Sequence, residues 1–112
     1  MGEKMSDLVM VNMQKAIRMK HYSLSTERTY MDWARRFFDH AGNMKGGLLL
    51  ETPGAEDIRE FLTHLTVDKN VSVSTQNQAF NAILFLCRNV LNIYTHVLRE
   101  QGIKRAKSPL DF

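Results

Sequence analysis

Two stretches of this sequence pair side chains that can bind phosphate with a helix start from which to present them. Around Tyr22-Ser23-Leu24-Ser25-Thr26, hydroxyls cluster between Lys20 and a following set of Arg28, Thr29, Arg35 and Arg36. Around Ser72-Val73-Ser74-Thr75 the hydroxyls return, now followed by the uncharged amides Gln76, Asn77, Gln78 and Asn81. Serine and threonine favour the position just before a helix, where unpaired backbone N–H groups and the positive end of the dipole attract phosphate oxygens. Asn and Gln offer a donor and an acceptor together, the pattern that matches adenine in the major groove. Cations holding phosphates while amides read bases is the chemistry of a nucleic-acid-binding surface. The same hydroxyls serve equally as plain helix caps, and the amides as a solvated face. Residue types alone leave both readings open.

Other chemistry finds little support. His21, His40, His64 and His96 are widely spaced, with no His-x-x-x-His pair and no Cys–His cluster, so no metal is expected. Tyr30 falls on a core stripe, Tyr94 on a late helix and Tyr22 at a turn, none with the neighbours that activate a nucleophile. No glycine-rich phosphate loop follows a strand. The lone Cys87 sits in the apolar run Ala82-Ile83-Leu84-Phe85-Leu86-Cys87 and reads as a small buried hydrophobe in a reducing compartment. The expectation is a chain with no catalytic residue, no metal and no cofactor. No export signal is visible, and no apolar run approaches the ~20 residues of a membrane span, so a cytoplasmic protein with no membrane partner is expected.

The elements that position these residues are all helical. Hydrophobic spacing follows the 3.6-residue period throughout, and the fold class is all-α. Ser6 can cap a first helix to about Lys20, with Val9, Met13, Ala16 and Ile17 inward. Ser23 or Ser25 can cap a second to about Ala41, with Tyr30, Ala34, Phe37, Phe38 and Ala41 on one stripe and Arg28, Asp32, Arg35 and Asp39 opposite; Gly42 is expected to stop it. Leu48-Leu49-Leu50 reads as a core plug within a loop. Thr52-Pro53 signals a third helix carrying Ile58, Phe61, Leu62 and Leu65 inward. A fourth, from about Ser74 to Asn92, begins polar and turns apolar nearly all round, so its later turns belong at the centre of the bundle and its first turns emerge from it. Ile93 to Gln101 leaves room for a short fifth helix, before Lys104, Arg105 and Lys107 in a basic linker. At 112 residues and 44% hydrophobic content, one domain is expected, with a helical core over about 7–92. The net charge of +3 is mild, yet bases concentrate between Gln14 and Arg36 and in the tail, and acids at Glu51, Glu56, Asp57 and Glu60.

At this resolution the pattern becomes specific. Tyr22-Ser23-x-x-Thr26-x-x-x-Tyr30, with Phe37 after it, resembles the opening of the core-binding, SAM-like domain of tyrosine recombinases of the phage integrase type. Asp57-Ile58-x-x-Phe61-Leu62-Thr63-His64-Leu65, then Val71 to Ala79 and Leu84-Phe85-Leu86, is similar to that domain in integron integrases. The resemblance spans about Ile17 to Leu91. It implies a four-helix orthogonal bundle forming one arm of a clamp on double-stranded DNA, its second and fourth helices against adjacent major grooves. Carried onto this sequence, the implied contacts are Lys20, Tyr22, Ser23, Thr26, Arg28, Thr29, Arg35 and Arg36 near the second helix. On the fourth they are Ser74, Thr75, Asn77, Gln78 and Asn81, with Lys104, Arg105 and Lys107 added from the basic linker. It also implies a catalytic domain beyond the linker, so that this chain recognises DNA without cutting it, and a full-length protein that assembles as a tetramer on DNA in the bacterial nucleoid. The isolated domain is expected to be a monomer or weak dimer. The competing reading is a helical protein–protein adaptor with a basic face and exposed methionines such as Met31. A helix-turn-helix repressor would need a tighter connection between its helices than this sequence offers.

Overall fold

The computed structural model describes residues 5–44 and 54–91. Among them are four α-helices and no strand: α1 (Met5–Met19), α2 (Leu24–Met44), α3 (Ala55–Val67) and α4 (Val73–Leu86), the last passing into a π-helical turn, Cys87–Leu91. The all-α, four-helix expectation is met.

The chain leaves α1 through a C-terminal cap in which His21 adopts the left-handed conformation, φ 58°. Its N–H donates to the Arg18 carbonyl at 3.0 Å, and the Tyr22 N–H reaches back to the Ile17 carbonyl at 3.4 Å. This is the Schellman arrangement, and it satisfies carbonyls that the end of a helix would leave unpaired. Asn70, φ 50°, plays a similar part after α3, with the Val71 N–H donating to the Leu65 carbonyl at 3.2 Å.

Three expected boundaries move. Met5 already lies in α1, so Ser6 stands inside the first turn instead of capping it. Gly42 does not stop α2, which runs on to Met44; a glycine disfavours a helix without forbidding it, and a side chain there would meet nothing within 4 Å. α4 is capped by Ser72 and opens at Val73, one residue before the expected start at Ser74. At α3, the Asp57 carboxylate accepts from the Gly54 N–H at 2.9 Å and fixes the first turn. The Leu48–Leu50 plug, Thr52-Pro53, the fifth helix over 93–101 and the basic linker lie outside the described residues.

The core has contributions from all four helices. Met13, Ile17, Phe37, Ile58, Ile83, Leu86 and Cys87 are fully buried. Phe37 packs against Phe38 and Phe61 with ring centroids 5.4 and 5.5 Å apart. α4 is central: it packs on α2 and α3, and the π-helical turn that extends it packs on α1. That turn shifts the backbone ladder by one residue, and the Asn89 amide donates to the Phe85 carbonyl at 3.0 Å within it. Trp33 is buried as well, on the flank of the α2 stripe. Met31, expected to be exposed, is partly buried against the core and is no free interface residue.

α2 and α4 run in opposite senses. Tyr30 lies 5.6 Å from Phe85 near the end of α4, while Trp33 and Arg36, further along α2, share a groove with Val71 and Thr75 at the start of α4. The two hydroxyl-rich helix starts therefore sit at opposite ends of one helix pair. Leu24 to Arg36 at 1.5 Å per residue puts them roughly 18 Å apart.

Candidate nucleic-acid interface

The two helix starts are built alike. Ser23 Oγ accepts from the Thr26 N–H at 3.1 Å and donates to Thr26 Oγ1 at 3.0 Å. Ser72 Oγ accepts from the Thr75 N–H at 3.1 Å and donates to Thr75 Oγ1 at 3.0 Å. The sequence repeat Ser-Leu-Ser-Thr and Ser-Val-Ser-Thr thus becomes a structural repeat. Each serine closes one N–H of the first turn, and the earlier N–H groups, of Leu24 and Ser25 and of Val73 and Ser74, make no hydrogen bond among the described residues. Capping and phosphate binding are consequently not exclusive: the serine engages the third donor and leaves the first two unbonded.

Around the first start, Tyr22 is anchored by its ring, edge-on to Tyr30 at 6.1 Å and tilted against Phe85 at 5.6 Å, while remaining partly exposed. Burial, with Tyr22 adding to it, raises the Tyr30 hydroxyl above its ordinary pKa. Lys20, Arg28 and Arg35 are exposed. Arg28, half-buried Thr29 and Arg35 line a shallow groove of about 570 Å³ with Gln14, Glu27, Met31 and Asp32. Arg36 points elsewhere. It pairs with Asp32 at 3.1 Å, lies over the Trp33 ring at 4.8 Å, and lines a second groove with Lys69 and Thr75. Adjacent in sequence, Arg35 and Arg36 serve different surfaces.

On α4 the polar turns emerge only in part. Ser74 and Gln78 are exposed, while Thr75, Gln76, Asn77 and Asn81 are half-buried. Gln76 is committed to the fold, its amide donating to the Val71 carbonyl at 3.1 Å. The Asn77 side-chain oxygen is buried without a partner among the described residues. A two-point contact with adenine needs both ends of the amide, so the geometry favours Gln78 over Asn77 for base reading. Lys104, Arg105 and Lys107 lie outside the described residues.

Three features escaped the sequence reading. Ser72 is the cap; the repeated Ser-x-x-Thr spacing could have located it. Arg18 binds buried Glu27, a pair nine residues apart that helical periodicity does not connect. His40 and His64 stack with ring centroids 4.6 Å apart, and His64 Nδ1 meets Asp68 Oδ2 at 2.8 Å. Burial first, and then His64, lowers the His40 pKa. Among the described residues no group of His, Cys, Asp and Glu is placed to hold a metal, and no helix is long and apolar enough to cross a membrane. The buried Cys87 thiol is pushed up to about 12 by desolvation, which keeps it protonated and unreactive.

Four α-helices packed on one core, with no strand among the described residues, make a SAM-like helical bundle. The chain belongs to the phage integrase N-terminal SAM-like domain family, which it matches over residues 9–96. Two curated relatives, an integrase/recombinase from Escherichia coli and one from Pseudomonas aeruginosa, are each 36% identical to it over 97 residues. That alignment takes in 87% of this chain, which spans only 28% of the length of either relative. No solved structure matches it.

Proposed function

We propose that this chain is the double-stranded-DNA-binding arm of a longer site-specific tyrosine recombinase, gripping the recombination site while the cutting and joining are carried out elsewhere in the protein. The observation that carries this reading is the pair of identically capped helix starts, set in a family of integrase N-terminal domains. Their separation of roughly 18 Å exceeds the ~12 Å width of a major groove, so one start can rest on each of the two flanking backbones. Lys20 and Arg28 then supply charge near the first start, and Arg35, roughly 16 Å along α2 from Leu24, supplies it toward the other end of the pair. Ser74 stands at the second start beside the backbone, and Gln78, one turn further along α4, stands over base edges. Lys104, Arg105 and Lys107 extend the contact along the linker. We assign the longer protein to the integron type, working as a tetramer on DNA in the bacterial cytoplasm, with the isolated chain a monomer or weak dimer.

The test is binding of a labelled mixed-sequence duplex across a salt series. Micromolar affinity at low salt is expected, with log affinity falling linearly against log salt. Binding that is absent, or indifferent to salt, would sink the proposal. The alternative of a protein–protein adaptor has one observation in its favour, the exposure of Leu8, Val11 and Met19 on α1. An adaptor would give that negative result.

A further inference from the structure

Glu27 is the one buried charged side chain among the described residues. It lies in the first turns of α2 and receives Arg18, from the last turn of α1, through Nε to Oε1 at 3.0 Å and Nη2 to Oε2 at 3.4 Å. The two partners are unequally placed: the carboxylate side chain is 11% exposed and the arginine side chain 65%. Here the carboxylate is set into the body of the protein and the guanidinium stands out from it. Of the five N–H donors of a guanidinium, the pair engages two, and three remain directed away from Glu27. The hydrogen bond from Arg18 holds the Glu27 carboxylate below its ordinary pKa against the opposing effect of burial, with Gln14 and Arg28 adding to the lowering. The pair is therefore fully charged at neutral pH.

Glu27 ties this guanidinium to the first turn of α2, where the N–H groups of Leu24 and Ser25 make no hydrogen bond among the described residues. We infer that Arg18 is an additional phosphate-binding residue of the interface and that Glu27 is its positioning residue, an inference that rests on the DNA-binding reading above. A planar fork already fixed on one edge by a carboxylate can offer its other edge to a phosphate, giving up less freedom than an unrestrained arginine would. Phosphate bound there would meet the guanidinium and the helix start together.

The experiment measures affinity for a mixed-sequence duplex across about 50–200 mM salt for the 112-residue chain and its variants, with circular dichroism to verify folding. Arg18→Gln with Glu27→Gln in one chain leaves the net charge at +3, since one base and one acid are lost together. The salt slope should nevertheless become shallower by about 0.9, the loss of one phosphate contact. Glu27→Gln alone raises the net charge to +4, yet binding should weaken by about two- to tenfold, the cost of ordering one arginine that is no longer held. Should the double variant fail to fold, Arg18→Lys serves: it keeps the charge and loses the fork, so the slope should stay and the affinity fall by a similar factor. An unchanged slope in the double variant, tighter binding by Glu27→Gln, or wild-type affinity in Arg18→Lys overturns the inference while leaving the DNA-binding reading intact. A wild-type chain that binds no duplex removes both.

Discussion

Replacing Ser72 by aspartate separates the two tasks assigned to the start of α4. Asp caps helices as well as Ser does, and its charge favours the positive end of the dipole, so the bond now made from the Thr75 N–H at 3.1 Å has a ready acceptor. Stability should be unchanged or slightly higher. Ser72→Ala removes that acceptor and should cost about 1 kcal/mol, which for a domain of this size lowers the melting temperature by about 4 °C. DNA binding should respond in the reverse order. A carboxylate about 4 Å from a bound phosphate costs about 1 kcal/mol even at the dielectric constant of water, a factor of about five in affinity, and more near a protein surface. Ser72→Ala leaves the Val73 and Ser74 N–H groups in place and should bind nearly as well as wild type whenever it is folded. The same contrast should hold at Ser23, and the effects at the two caps should add, because roughly 18 Å separates them. Thermal melting and fluorescence anisotropy on the same samples measure both quantities. If Ser72→Asp and Ser23→Asp are folded and bind duplex as tightly as wild type, phosphate does not sit at these helix starts and the reasoning fails.

Further outcomes follow from particular contacts. Arg35→Gln should make the salt slope shallower by about 0.9, so that its binding defect shrinks by about 3.5-fold between 50 and 200 mM salt, whereas Arg36→Gln should change the slope less because Asp32 already pairs with Arg36. Arg36→Gln should instead cost about 0.5–1 kcal/mol of stability by uncovering Trp33, measurable by urea unfolding. His21→Gly should stabilise the chain by about 0.5–1 kcal/mol, since glycine occupies the left-handed region without the side-chain penalty, and a lower melting temperature would contradict that. Stability should also decline at acid pH in two stages. His40 is a base with a folded pKa below its ordinary 6.5, so as pH falls through that value the unfolded chain takes up the proton first and stability drops until the folded His40 titrates too. Glu27 is an acid with a lowered folded pKa, so its contribution is present above the ordinary 4.5 and is lost as pH falls through the folded value. His40→Phe should abolish the upper stage alone, as read by urea unfolding at a series of pH values.

Much of the fold was legible because it depends on local spacing. The stripes Val9-Met13-Ile17, Ala34-Phe37-Phe38-Ala41 and Ile58-Phe61-Leu65 are all buried, as a period of 3.6 residues requires once a helix packs on one face. Helix ends were less legible, since Gly42 and Ser6 carry terminal signals that neighbouring turns override, and Ser72 and Ser74 offer the same hydroxyl two residues apart. Both hydroxyl-rich starts were visible as composition; their identical bonding was not.

The sequence by itself determined four things: an all-α fold class, the faces that its first three helices bury, the two hydroxyl-rich helix starts, and the resemblance to integrase N-terminal domains. Only the tertiary structure decided how those starts are arranged, since the opposite senses of α2 and α4 set them at the two ends of one helix pair. It also separated Arg35 from Arg36, which successive 100° steps around a helix aim at different neighbours, and it withdrew Asn77 into a half-buried position. Most of all, it joined Arg18 to Glu27 across a turn. No spacing rule links residues on different helices, because their meeting depends on the angle at which the core lets those helices cross.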